Sequence, residues 1–81
     1  MNPVEQSAHV YHVLTDWLDI TDPKRIQICA WCTLVCGESW ALRTTLGRLA
    51  VAYHVWQFHS PEVATQFKLT WMDQLRMYES V

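Results

Sequence analysis

Three dipeptides punctuate this chain: Asn2-Pro3, Asp22-Pro23 and Ser60-Pro61. Each sets a capping side chain directly before a proline. Asn, Asp or Ser accepts a hydrogen bond from an orphan amide at a helix start, and proline at the first helical position has no N–H to lose. A residue before proline also avoids helical geometry, so Asp22 and Ser60 end whatever precedes them. Glu5, three residues after Asn2, completes something close to a capping box. Gly37 offers the left-handed exit from a helix, and Ser39 can cap the next.

This punctuation predicts four helices, over about residues 3–19, 23–36, 40–59 and 61–78. No segment alternates with a convincing period of two, so no strand is expected. In the second predicted helix, Ile26 to Cys36 is interrupted only by Gln27 and Thr33. A helix apolar all round is buried all round, so this one is expected at the centre. The first predicted helix gathers Val10, Leu14, Trp17 and Leu18 on one side, and Glu5, His9, His12 and Asp16 on the other. The third has two stripes. One is Leu42, Leu46, Leu49, Tyr53 and Trp56; the other is Trp40, Val51, Val55 and Phe58. Gly47 falls inside it, at a cost of about 1 kcal/mol against alanine. The fourth carries Ala64, Phe67, Trp71, Leu75 and Tyr78 on one side, with Leu69 and Met72 as candidates for exposed contact. Short connections favour antiparallel neighbours. The expected fold is one all-α domain over residues 1–81, a compact four-helix bundle.

Of the 81 residues, 51% are hydrophobic, 17% are charged and five are Trp. That is more apolar surface than so small a domain easily buries, so part of it is expected to meet another chain. The net charge of −2 and the lack of a like-charge block do not point to nucleic acid or an anionic membrane. Charge is uneven: Glu5, Asp16, Asp19 and Asp22 give the first 22 residues −4 with no basic residue. No apolar run approaches the length that spans a bilayer, about 20 residues, and the N-terminus lacks the pattern of a signal peptide. Three cysteines within eight residues make no disulfide framework, which predicts a reducing, cytoplasmic setting.

Cys29, Cys32 and Cys36, with His54 and His59 downstream, invite a zinc reading. On one helix, Cys36 would lie about 10 Å along the axis from Cys29, too far for one tetrahedral ion. Core packing is the expectation, because cysteine behaves as a small hydrophobe. Glu5, His9, His12 and Asp16, at helical spacing, form a second candidate metal stripe, whose plainer reading is a solvated face. The metal candidates are therefore His9, His12, Asp16, Cys29 and Cys32, and no cofactor is expected. Cys29-Ala-Trp-Cys32 lies too deep in its helix for a redox pair. With only Gly37 and Gly47, the chain has no phosphate-cradling loop. A helix-turn-helix around Gly37 would lack a basic or amide-rich reading face, so nucleic acid is not an expected partner.

What remains is contact. Interfaces are enriched in Trp, Tyr, Met and Arg and poor in Lys. Trp40, Arg48, Val51, Val55 and Phe58 make the candidate patch. The expected function is non-enzymatic: a protein-interaction module, self-associating as a homodimer. It would serve as an assembly domain or as an inhibitor docking on a larger protein. The alternatives are a metal-binding domain and a helix-turn-helix-like nucleic-acid binder. In composition, lysine-poor and rich in Trp and His, the chain resembles small accessory proteins of viruses and phages.

Overall fold

The computed structural model describes residues 10–79. Two of the proline starts lie within them, and both open helices. Helix α1 is Pro23–Cys36, where the Asp22 carboxylate accepts from the Lys24 amide at 2.9 Å. Gly37 leaves it at φ 63°, a left-handed exit that glycine makes without a Cβ penalty. Helix α2 is Pro61–Trp71, where the Ser60 hydroxyl accepts from the Val63 amide at 3.3 Å.

Four strands accompany them, β1 Tyr11–Asp16, β2 Trp40–Leu46, β3 Ala52–Phe58 and β4 Met77–Tyr78, with a 3-10 turn, Arg48–Ala50, between β2 and β3. All pair antiparallel, in the order β2-β3-β1-β4. The chain therefore runs β-α-β-β-α-β, the connection order of the ferredoxin-like, split β-α-β arrangement. This overturns the all-α bundle. Residues 40–59 form a hairpin rather than a helix, with Gly47 in the turn. Residues 11–16 are a strand; the rest of the predicted first helix up to residue 9, with Asn2-Pro3, lies outside the described residues. The last helix stops at Trp71 rather than 78, and Tyr78 pairs with Leu14 on β1.

The physical reason is visible in β3. His54, Trp56 and Phe58 are buried, while Tyr53, Val55 and Gln57 take the other face. Because the second face is also largely apolar, the period of two is blurred, and leucines at spacings of four and three imitate a helix. Thr44, Thr45, Val51 and Val55 are β-branched and suit a pleated surface. The strand registers carry the pattern across the sheet. Trp40 and Tyr11 flank Phe58, Leu42 and Val13 flank Trp56, and Thr44 and Thr15 flank His54.

Both helices cover this one face. The core is Val13, Ile28, Cys32, Trp56, Phe58, Ala64, Phe67, Trp71 and Leu75. The Phe67 ring packs 5.3 Å from both Trp56 and Phe58, and Trp31 meets Phe67 and Trp71 edge-on at 6.0 and 6.4 Å. Trp40 stacks on Trp56 at 6.3 Å. Four of the five tryptophans are thus committed to the core or its margin; Trp17 is exposed. Helix α1 is not central. It lies on the sheet through Ile28 and Cys32, and leaves Ile26, Ala30 and Leu34 in solvent. No helix among the described residues is long and apolar enough to cross a membrane.

Candidate interaction surface

Two buried polar residues organise the sheet beneath the helices. The Trp56 indole N–H donates to the Thr15 hydroxyl at 2.9 Å, and that hydroxyl donates to the Asp16 carbonyl at 3.1 Å. His54, next along β3 on the same face, donates from Nε2 to the Leu18 carbonyl at 3.0 Å. Arg25 donates to the same carbonyl at 3.4 Å. The other nitrogen of His54, Nδ1, is buried without a partner among the described residues. Burial pushes the imidazole below its usual pKa. These contacts tie the β1–α1 connection down onto the sheet.

The sheet face away from the helices carries polar groups that satisfy one another. Arg43 Nε donates to Gln57 Oε1 at 3.1 Å, and Gln57 Nε2 lies 3.3 Å from His12 Nε2. The Tyr78 hydroxyl donates to Asp16 Oδ1 at 2.5 Å, which raises its pKa. The Tyr78 ring meets Tyr53 edge-on at 5.1 Å, with the Arg76 guanidinium 5.6 Å from its centroid.

The predicted metal candidates do not converge. His12 and Asp16 sit four positions apart on a strand, which separates them by about 13 Å at roughly 3.3 Å per residue. Glu5 and His9 lie outside the described residues. Cys32 is fully buried, and burial pushes its thiol up to about 12. Cys29 and Cys36 are half-buried with raised pKa values, and the Cys36 thiol donates to the Cys32 carbonyl at 3.2 Å. Among the described residues no three His, Cys, Asp or Glu side chains are grouped to hold a metal ion. A depression of about 260 Å³ brings Cys36, Ser39 and His59 together over Phe58 and Val63. A thiol whose pKa is raised by burial is not prepared as a nucleophile. The helix-turn-helix reading loses its second helix, because residues 40–59 are the β2–β3 hairpin.

The predicted contact residues are dispersed. Phe58 is fully buried, so it is core. Trp40 shares its face and is half-buried on Trp56. Val55 lies on the opposite sheet face. Arg48 and Val51 belong to the hairpin turn and are exposed there.

That turn is the most unusual surface of the molecule. Gly47 donates to the Val51 carbonyl at 2.8 Å, and Val51 donates back to Arg48 at 3.3 Å. Between them Leu49 and Ala50 both hold left-handed backbone, at φ 61° and 60°. Each costs a residue with a Cβ about 1–2 kcal/mol. Leu49 is 96% exposed, and Leu46 and Val51 beside it are exposed too. Asp16 pairs with Tyr53 at this same end of the sheet, so Trp17 and Ile20, both exposed, emerge beside the turn. Sequence reasoning missed Leu46, Leu49 and Trp17 because it assigned them to helical faces, and it left Ile20 in a connection between helices with no role. Gly47 between two threonine- and valine-bearing stretches was the available signal for a hairpin.

Strand β2 also forms one edge of the sheet, and no described residue pairs with its outer side. Comparison of the chain with protein-family models, with curated proteins and with solved structures returns no match. The split β-α-β arrangement hosts many unrelated functions and by itself assigns none.

Proposed function

We propose that this protein works by contact: it is a protein-binding module that self-associates, engaging through the hairpin end of its sheet. It serves as an assembly domain or as a small accessory chain docking on a larger protein. The observation that supports this is the group Leu46, Leu49, Val51, Trp17 and Ile20, exposed together at the hairpin end of the sheet. A leucine displayed on strained, left-handed backbone is a poor choice for a simple turn, where glycine or asparagine costs less. Strain of this kind persists where the displayed side chain has work to do.

Native mass across a dilution series tests the reading. The expected result is a dimer that dissociates on dilution. A Leu49→Asp, Val51→Asp double variant should be monomeric with an unchanged far-ultraviolet circular dichroism spectrum. A wild-type chain that is monomeric at every concentration, or a dimer indifferent to both aspartates, refutes it.

A further inference from the structure

We infer that the second copy docks on strand β2, antiparallel to its own β2, so that two four-stranded sheets join edge to edge about a two-fold axis at Thr44. The inference rests on the self-associating function proposed above and names its partner surface.

The backbone supplies the first argument. The Gly47 N–H to Val51 carbonyl bond continues the Leu46↔Ala52 register by one step. Bonded pairs alternate along an antiparallel ladder. Thr45, Arg43 and Ala41 therefore turn their N–H and C=O groups to β3, while Leu42, Thr44 and Leu46 turn theirs outward. An exposed row of this kind is a template for another strand. Natural edges are blunted by proline, inward charge or a bulge. The seven residues of β2 contain no proline and a single charge, Arg43, which is held by Gln57 on the sheet face.

Side chains choose the partner and the register. A two-fold axis perpendicular to the sheet keeps each face continuous, so residues directly opposite must share a face. Centring the axis on Arg43 would set two guanidinium groups opposite each other, a destabilising pair. Centring it on Thr44 sets Thr44 opposite its own copy and Arg43 opposite Thr45. It also sets Leu42 opposite Leu46, whose side chain is 66% exposed in the monomer. Both leucines lie on the helix side of the sheet, so the contact extends the core across the junction.

The ends of the strand complete the match. Glu38 precedes β2 and Arg48 follows it, both exposed. Antiparallel pairing brings the acidic end of one strand beside the basic end of the other, twice. It also brings the turn, with its exposed Leu49, to the end of the second copy's strand where Trp40 begins β2.

The test is amide hydrogen exchange of the full chain by NMR at concentrations either side of dimer dissociation, together with Thr44→Pro. The N–H of Thr44 points outward, so proline there spares the β2–β3 ladder and removes a donor only from the edge. The expected result is that the Leu42, Thr44 and Leu46 amides exchange at least about tenfold more slowly in the dimer. Thr44→Pro should weaken association at least about tenfold. A dimer in which those three amides exchange as fast as in the monomer overturns the edge pairing, while self-association stands. A chain monomeric throughout overturns both. Cysteine cross-linking reads the register: Thr44→Cys is expected to join two copies by a disulfide under mild oxidation, and cross-linking of Arg43→Cys in its place would overturn the axis at Thr44.

Discussion

His54 makes the stability of this protein depend on pH, with a sign and size that follow from its surroundings. The imidazole is 1% exposed and neutral in the fold, with Nε2 donating to Leu18 and Nδ1 without a hydrogen-bond partner among the described residues. Burial is the largest cause lowering its pKa and the nearby Arg25 guanidinium adds to it, together outweighing the backbone hydrogen bonds at Leu18 and Arg43 that favour the charged ring. In the unfolded chain the group titrates near its ordinary value of about 6.5. Below that pH the unfolded state binds a proton that the folded state refuses, so stability falls as pH falls. The limiting slope for one proton is about 1.4 kcal/mol per pH unit, and it ends once the pH passes below the folded pKa. Between about pH 7.5 and 5.5 the loss reaches at most about 1.4 kcal/mol, which for a domain this size lowers Tm by roughly 5–10 °C. Asp19 and Glu62, whose pKa values hydrogen bonds hold low, lose their contributions only at lower pH. Thermal melts of wild type and His54→Gln across this window decide the matter. Glutamine retains a donor for Leu18 and cannot titrate. The variant should be less stable at neutral pH, and its Tm should stay nearly flat. If His54→Gln keeps the full wild-type drop, the buried imidazole is not its cause.

Two further expectations follow from the core. Thr15→Val keeps the shape but leaves the Trp56 indole N–H buried without an acceptor, which costs about 1–3 kcal/mol in urea unfolding. Thr15→Ser should recover most of it, and a loss below about 0.5 kcal/mol would contradict the role given to that hydrogen bond. Thiol alkylation of the native protein at mildly alkaline pH, followed by peptide mass mapping, should modify half-buried Cys29 and Cys36 well before Cys32, whose pKa is pushed up to about 12. Equal rates for Cys29 and Cys32 would show that the α1–sheet packing is wrong.

What could be read from the chain divides along a physical line. The starts of α1 and α2 are local events, decided by Asp22 with Pro23 and by Ser60 with Pro61, and both are legible. The left-handed exit at Gly37 is equally local. The strands are not, because a strand is fixed by partners distant in sequence. Tyr53, Val55 and Leu14 are apolar on a sheet face that no described element covers, so β3 and β1 show no clean alternation. Leu42, Leu46, Leu49, Tyr53 and Trp56 then fit a helix by accident of spacing. The same ambiguity dispersed the candidate patch. Phe58 and Val55, three positions apart, neighbour each other on a helix, but lie on opposite faces of a strand. Only Arg48 and Val51, flanking the turn, kept the exposure expected of them. The apolar run of α1 misled in another way. Ile26 and Leu34 show that an apolar helix on a two-layer domain still has one side with nothing to cover it.

The interleaved strand order has a consequence for how the chain comes into being. β1 leaves the ribosome first, yet its neighbours in the sheet are β3 and β4, and the pair Tyr11↔Phe58 closes a loop of more than forty residues. Closing so long a loop is entropically dearer than closing the β2–β3 hairpin. During synthesis the hairpin is thus the earliest sheet available, and β1 waits with both edges bare until Phe58 has been made. Neither half of the chain is a smaller version of the whole: cut before Ala52, it keeps a helix and two strands with nothing between them. The protein is assembled around its latest-arriving central strand, and a nascent chain stalled in the turn at Leu49 offers two unpaired strands at once.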